Sequence, residues 1–193
     1  MRTLLVLLTI LLPALAQTAA EPQTSHFEYR LLATTKTSTM EKEMNEAADA
    51  GYSFSSVMGG ETGLGGKEVV VIMARPADRQ DAPKKRYKLL ATNKTSTLQK
   101  EMQEAGDEGF DYCGQTVFES AFGGKETSVI LEYDPSAEGR AVSFRLLATT
   151  KTSTMQRELN EAGQAGFELM GVMVGKTSFG GKEVLSILRK RSN

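Results

Sequence analysis

Nucleophilic catalysis of the Ser-His-Asp or Cys-His kind needs a hydroxyl or thiol within hydrogen-bond reach of an imidazole, and this chain of 193 residues holds one His and one Cys. His26 precedes the repeated part of the chain and Cys113 lies in its middle, so such a site would require His26 to fold back onto one copy only. One His and one Cys cannot build a His/Cys metal site, and a lone Cys closes no internal disulfide. The segments Gly65-Gly66-Lys67-Glu68, Gly123-Gly124-Lys125-Glu126 and Gly180-Gly181-Lys182-Glu183 invite a phosphate-loop reading. The Walker spacing wants a further Gly five residues before the Gly-Lys pair and then Ser or Thr, but Glu61, Glu119 and Lys176 hold the first place and Glu68, Glu126 and Glu183 the last. Hairpin turns account for these glycines better. Nine Met residues raise the question of copper, yet Leu98 and Leu159 replace Met at matching places, an exchange that keeps volume and loses a thioether ligand. Asn93-Lys94-Thr95 fits a glycosylation sequon, but the sister positions are Thr35 and Thr150. No catalytic residue, metal or cofactor is assigned, and the chain reads as a non-enzymatic binding or scaffold module, with an envelope assembly component and an enzyme using Lys/Glu pairs at the repeated sheet edge as the alternatives.

What could position any chemistry here is a unit written three times. Leu31-Leu32-Ala33-Thr34-Thr35-Lys36-Thr37-Ser38-Thr39-Met40 recurs unchanged from Leu146 to Met155, and the copy from Leu89 to Leu98 differs only at Asn93 and Leu98. The separation from Leu31 to Gly65 equals that from Leu89 to Gly123 and from Leu146 to Gly180, so no copy has gained or lost a residue between the two blocks. The units are placed at 27–75, 85–134 and 142–190, with Pro-, Ala- and charge-rich seams between them.

Each unit predicts strand, helix, strand, strand. Ser38-x-x-Glu41, Ser96-x-x-Gln99 and Ser153-x-x-Gln156 have the spacing of a capping box at a helix start. Met40, Met44, Ala47 and Ala48 follow at helical spacing, matched by Leu98, Met102 and Ala105 and by Met155, Leu159 and Ala162. Gly51, Gly109 and Gly166 stand where a left-handed residue closes a helix, each followed by an aromatic. The apolar run Val69 to Ala74 lacks polar alternation, as in a strand covered on both faces. A right-handed crossover then makes strands one and two parallel and puts strand three between them, in the order 1-3-2. The expected fold is α+β: three tandem βαββ repeats packed with pseudo-threefold symmetry, helices outside. Pairs such as Lys42/Glu46, Lys100/Glu104 and Arg157/Glu161 mark a solvated helix face.

The pattern aromatic-x-aromatic-basic-Leu-Leu, a helix ending in Gly166-Phe167-Glu168-Leu169 and a Gly-Gly turn into an apolar strand resembles the small bacterial βαββ domain of unknown function 4177 family, in tandem copies over about Phe27 to Lys190. The resemblance implies a fold and brings no catalytic residue. Tyr52, Phe110 and Phe167 stand where family members often carry Trp.

At the N-terminus, Arg2, an apolar stretch from Leu4 to Leu15 and small residues at Ala14-Leu15-Ala16 and Thr18-Ala19-Ala20 have the layout of a secretory signal peptide over residues 1–20, too short in its apolar core to span a bilayer. The expectation is an exported chain, periplasmic or secreted, with no membrane span after cleavage. Lys+Arg 23 against Asp+Glu 24 gives no basic excess to recruit nucleic acid.

One constellation survives. With strands one and two parallel, the helix entry and the Gly-Gly-Lys-Glu segment of each copy fall at the same sheet edge. That gathers Lys36, Thr37, Ser38 and Lys67 in the first unit, Lys94, Thr95, Ser96 and Lys125 in the second, and Lys151, Thr152, Ser153 and Lys182 in the third. Free N–H groups, hydroxyls and lysines suit a small anionic ligand, and outer strand edges suit pairing with another envelope protein; the residues leave the partner open between the two. Ser caps and Gly turns that merely finish the edge are the competing explanation.

Overall fold

The computed structural model describes residues 26–62, 66–78, 83–119, 125–137, 141–176 and 181–192. The signal segment expected over residues 1–20 lies outside them, as do Gly65, Gly123, Gly124 and Gly180 and the side chains of Lys67 and Lys125. The first unit is β1 (Phe27–Thr34), α1 (Thr37–Asp49), β2 (Ser53–Thr62) and β3 (Gly66–Pro76). The second is β4 (Arg86–Thr92), α2 (Thr95–Asp107), β5 (Asp111–Glu119) and β6 (Lys125–Tyr133). A 3-10 turn at Pro135–Ala137 leads to β7 (Val142–Thr149), α3 (Thr152–Gln164), β8 (Glu168–Lys176) and β9 (Lys182–Arg191).

Each unit forms its own three-stranded sheet, in the orders β1-β3-β2, β4-β6-β5 and β7-β9-β8. Both outer strands run antiparallel to the central one, as the crossover argument requires. Val69, Val70, Val71 and Met73 in β3 are buried, the counterpart of their unbroken apolar sequence. Every second strand carries a bulge at the same place, after Phe54, Tyr112 and Leu169, which bends the strand and sharpens its twist.

The helix stops are local and alike. Gly51, Gly109 and Gly166 have φ of 84°, 87° and 84°, and Tyr52, Phe110 and Phe167 each donate a backbone N–H at 3.0 Å to the carbonyl of Ala47, Ala105 and Ala162. This is the Schellman pattern, which only a residue without a Cβ adopts freely. The starts differ from expectation. The residues in the cap position are Lys36, Lys94 and Lys151, and no side chain caps any of the three helices. Ser38, Ser96 and Ser153 sit inside the first turn, so the capping-box assignment is corrected: Glu41 and Gln99 are engaged elsewhere.

They reach the next unit. α1 packs against β4 and α2 against β7 in addition to their own sheets, while β2 meets β5 and β5 meets β8 through their faces. One core joins Met40, Met44, Val71 and Met73 of the first unit to Tyr87, Leu89 and Ile130 of the second. Another joins Leu98, Met102 and Val129 to Phe144, Leu185 and Ile187 of the third. The structure is therefore α+β with three repeats, the first packed on the second and the second on the third. No comparable packing joins α3 to β1 among the described residues.

Candidate functional site

Thr34 lies opposite Val69 in the β1–β3 register, so the helix entry and the Lys-Glu segment share one edge, as they do where Thr92 faces Thr127 and Thr149 faces Val184. The Lys-Glu pairs belong to the strands themselves and not to a turn. Thr34, Thr92 and Thr149 each accept a hydrogen bond at 3.2 Å from the backbone N–H of Lys36, Lys94 and Lys151. Those lysines, with Ser38, Ser96, Thr152, Ser153 and Lys182, are exposed, and Thr37 and Thr95 are half-buried. In the second unit the edge already meets an anion: the Thr95 hydroxyl donates to the Glu183 carboxylate of the third unit at 2.9 Å. The adjoining cavity, lined by Lys94, Thr95, Thr127 and Gly175, measures about 10 Å³, room for about one water.

The more elaborate polar geometry lies between units. The Asn45 amide donates to the carbonyl of Tyr87 and accepts from its N–H, both at 2.9 Å, and the Glu41 carboxylate accepts from Leu89 N–H at 2.8 Å. The outer edge of β4 thus finds on α1 the partners that another strand would have given it. The next joint repeats this with amides only. Gln103 accepts from Phe144 N–H at 3.0 Å and donates to the Val142 carbonyl at 3.2 Å. Gln99 accepts from Leu146 N–H at 2.7 Å and donates to the Phe144 carbonyl at 2.9 Å. Asn45 corresponds to Gln103 and Glu41 to Gln99, so one arrangement is used twice.

Further contacts lock each joint. The Tyr87 hydroxyl accepts from Phe54 N–H at 2.8 Å and donates to Glu132 at 2.7 Å, and Lys85 closes on Glu132 at 2.7 Å. Burial, then the nearby Glu132 charge, pushes the Tyr87 phenol well above its ordinary range and keeps it a donor. In the second joint Asp111 receives Arg189 at 3.0 Å and the Arg191 Nε at 2.8 Å. Gly114 faces Phe54 and Gly171 faces Gln115 so closely that a Cβ at either would collide.

The Cys113 thiol donates to the Ile130 carbonyl at 3.5 Å, and burial pushes it well above the usual thiol range, away from the thiolate that attack requires. His26 is exposed at the start of β1. No group of three or more His, Cys, Asp or Glu that could hold a metal occurs among the described residues, and no helix there is long and apolar enough to cross a membrane.

Sequence reasoning missed Glu41, Asn45, Gln99 and Gln103 as joint residues. The one available signal was that polar, hydrogen-bonding side chains recur at the same two helix positions in every copy, Gln156 and Asn160 completing the series. Compared with known protein families, with curated proteins and with solved structures, the chain matches none.

Proposed function

We propose that this is an exported, non-enzymatic scaffold or binding module, built as three βαββ units clamped into one body. The observation that carries the reading is the twice-used joint, in which recurring polar side chains are committed to the backbone of the neighbouring unit. Successive units repeat one packing step, first to second and second to third, so the pseudo-threefold arrangement with helices outermost is read as a row of three whose ends, α3 and β1, have no comparable packing between them among the described residues. The partner is another envelope protein or a small anion. The protein partner is favoured because, among the described residues, the shared edge offers an exposed rim beside a water-sized cavity. Export rests on the N-terminal sequence, and kinship with the βαββ family rests on its motifs.

Two measurements test this. Cell fractionation is expected to find the chain outside the cytoplasm. A panel of hydrolase and isomerase substrates is expected to show no turnover; turnover abolished by Glu68→Gln, Glu126→Gln and Glu183→Gln together would replace the scaffold by an enzyme working at the repeated edge.

A further inference from the structure

Because the units correspond residue for residue, each half of the joint can be followed into the copy where it has no neighbour. The receiving half in the second and third units uses Tyr87 and Leu89, then Phe144, all at most 9% exposed. In the first unit the same positions are Tyr29 and Leu31, exposed at 67% and 57%, with Phe27 on the same strand at 52% and Met58, across β3 on β2, at 53%. Met58 matches Met173, which is 8% exposed inside the second joint. The β1–β3 register equals that of β4–β6, so the N–H groups of Tyr29 and Leu31 point outward along the sheet edge, as those of Tyr87 and Leu89 do.

The giving half is left open on the third unit. Gln156 and Asn160, the counterparts of Gln99 and Gln103, are exposed on α3, and the Gln156 amide donates to Asn160 at 3.1 Å instead of meeting a strand. Leu169, Val172 and Val174 on β8 are exposed. Their counterparts in the first unit, Phe54, Val57 and Gly59, meet Gly114, Thr116 and Val117 of the second. Every large hydrophobic that is markedly exposed among the described residues therefore falls on one of these two halves. Apolar exposure so concentrated is the mark of an association surface.

We propose that the chain associates head to tail with a second copy of itself, α3 and β8 of one copy seating on β1 and the outer sheet face of the first unit of the next. The contact would reuse the internal joint: Asn160 pairing with the Tyr29 backbone, Gln156 with Leu31 N–H, and Leu169, Val172 and Val174 covering the bulge side of β2. Two different surfaces meet, so the association is heterologous and gives a ring if the rotation closes and a longer row if it does not. The inference stands on the joint alone, whatever else the module binds.

Sedimentation velocity on the full chain over a concentration series tests it. The chain is expected to associate as concentration rises. Tyr29→Glu with Leu31→Glu, or Val172→Glu with Val174→Glu, is expected to weaken association about ten-fold or more by placing a charge in a desolvated contact. An equimolar mixture of the two variants is expected to recover a dimer that grows no further, because it keeps one intact pair of surfaces. A wild-type chain that stays monomeric at its solubility limit overturns the proposal. So does association untouched by both variants, or a mixture that fails to dimerise. Leu31→Lys and Val174→Lys give the same readout should either first variant not fold, as judged by circular dichroism.

Discussion

Helices α2 and α3 have the same length and closely related sequences, with a Gly at the corresponding positions 106 and 163 and an amide pair along one flank. They differ in what surrounds them. Leu98, Met102, Ala105 and Gly106 are buried in α2, whereas in α3 only Ala162 is, Met155 and Leu159 being half-buried. α2 packs on both its own sheet and β7, whereas among the described residues the substantial packing of α3 is with its own sheet. The burial of a repeat position is therefore set by place in the row as much as by residue type, and the amphipathic stripe of a repeat anticipates a neighbour.

The largest test of that contrast is truncation in the stripe. Met102→Ala empties a fully buried position and is expected to cost about 2–5 kcal/mol in urea denaturation, while Leu159→Ala is expected to cost well under half as much; equal losses would erase the distinction between the helices. A smaller effect, of opposite sign in the two helices, comes from the glycines. A Cβ at Gly106 would run into the Val142 carbonyl and the Phe144 ring, so Gly106→Ala is expected to destabilise by about 1–3 kcal/mol. Gly163 has open space around it, and Gly163→Ala is expected to gain about 0.5–1 kcal/mol of helix propensity. The same sign at both positions would mean that α2 is not seated on β7 as described.

Next comes the amide pair. Gln103→Ala leaves Phe144 N–H and the Val142 carbonyl without their side-chain partner and is expected to cost about 1–2 kcal/mol, with faster amide exchange at Phe144. Asn160→Ala in dilute solution is expected to stay within about 0.5 kcal/mol of wild type, and a matching loss there would show that α3 is already engaged within one chain. The smallest effects belong to the shared edge. Replacing Lys36, Lys94 and Lys151 by Ala, or Ser38, Ser96 and Ser153 by Ala, is expected to change stability by less than about 0.5 kcal/mol per site, because no serine caps its helix; about 1 kcal/mol per serine would restore the cap. Calorimetric titration with inorganic phosphate is expected to give no saturable heat with the wild-type chain, and saturable heat lost in the triple lysine variant would give the edge its anion role.

Most of the fold was legible because its signals are local. The Gly51, Gly109 and Gly166 stops and the helical stripe of α1 and α2 are decided within a few residues and match the structure, while β3 is buried at Val69, Val70, Val71 and Met73 and only half-buried at Ile72 and Ala74, because the outer face of the first sheet has no neighbouring unit among the described residues. The capping box was misread for the converse reason. A Glu or Gln three residues after a Ser looks the same whether it turns back to its own helix start or outward to a neighbouring strand, and only the neighbour decides. The pairs Tyr29/Tyr87 and Leu31/Leu89 make the point most sharply, since identical residues in matching contexts end exposed in one unit and buried in the next. The anion edge was legible as a convergence of segments, but Glu183 reaching Thr95 depends on how the second and third units dock.

The joint has a consequence for how such a chain grows. Every copy carries both halves of it, a helix flank with two hydrogen-bonding side chains and a first strand with an open edge, so duplicating the coding segment of one unit creates a complete new junction in a single event. No compensating substitution has to arise first. Descendant copies can then drift even within the junction so long as the hydrogen bonds to the neighbouring strand are kept, which is the pattern of Asn45 and Glu41 in one copy and Gln103 and Gln99 in the next, performing one task with different chemistry.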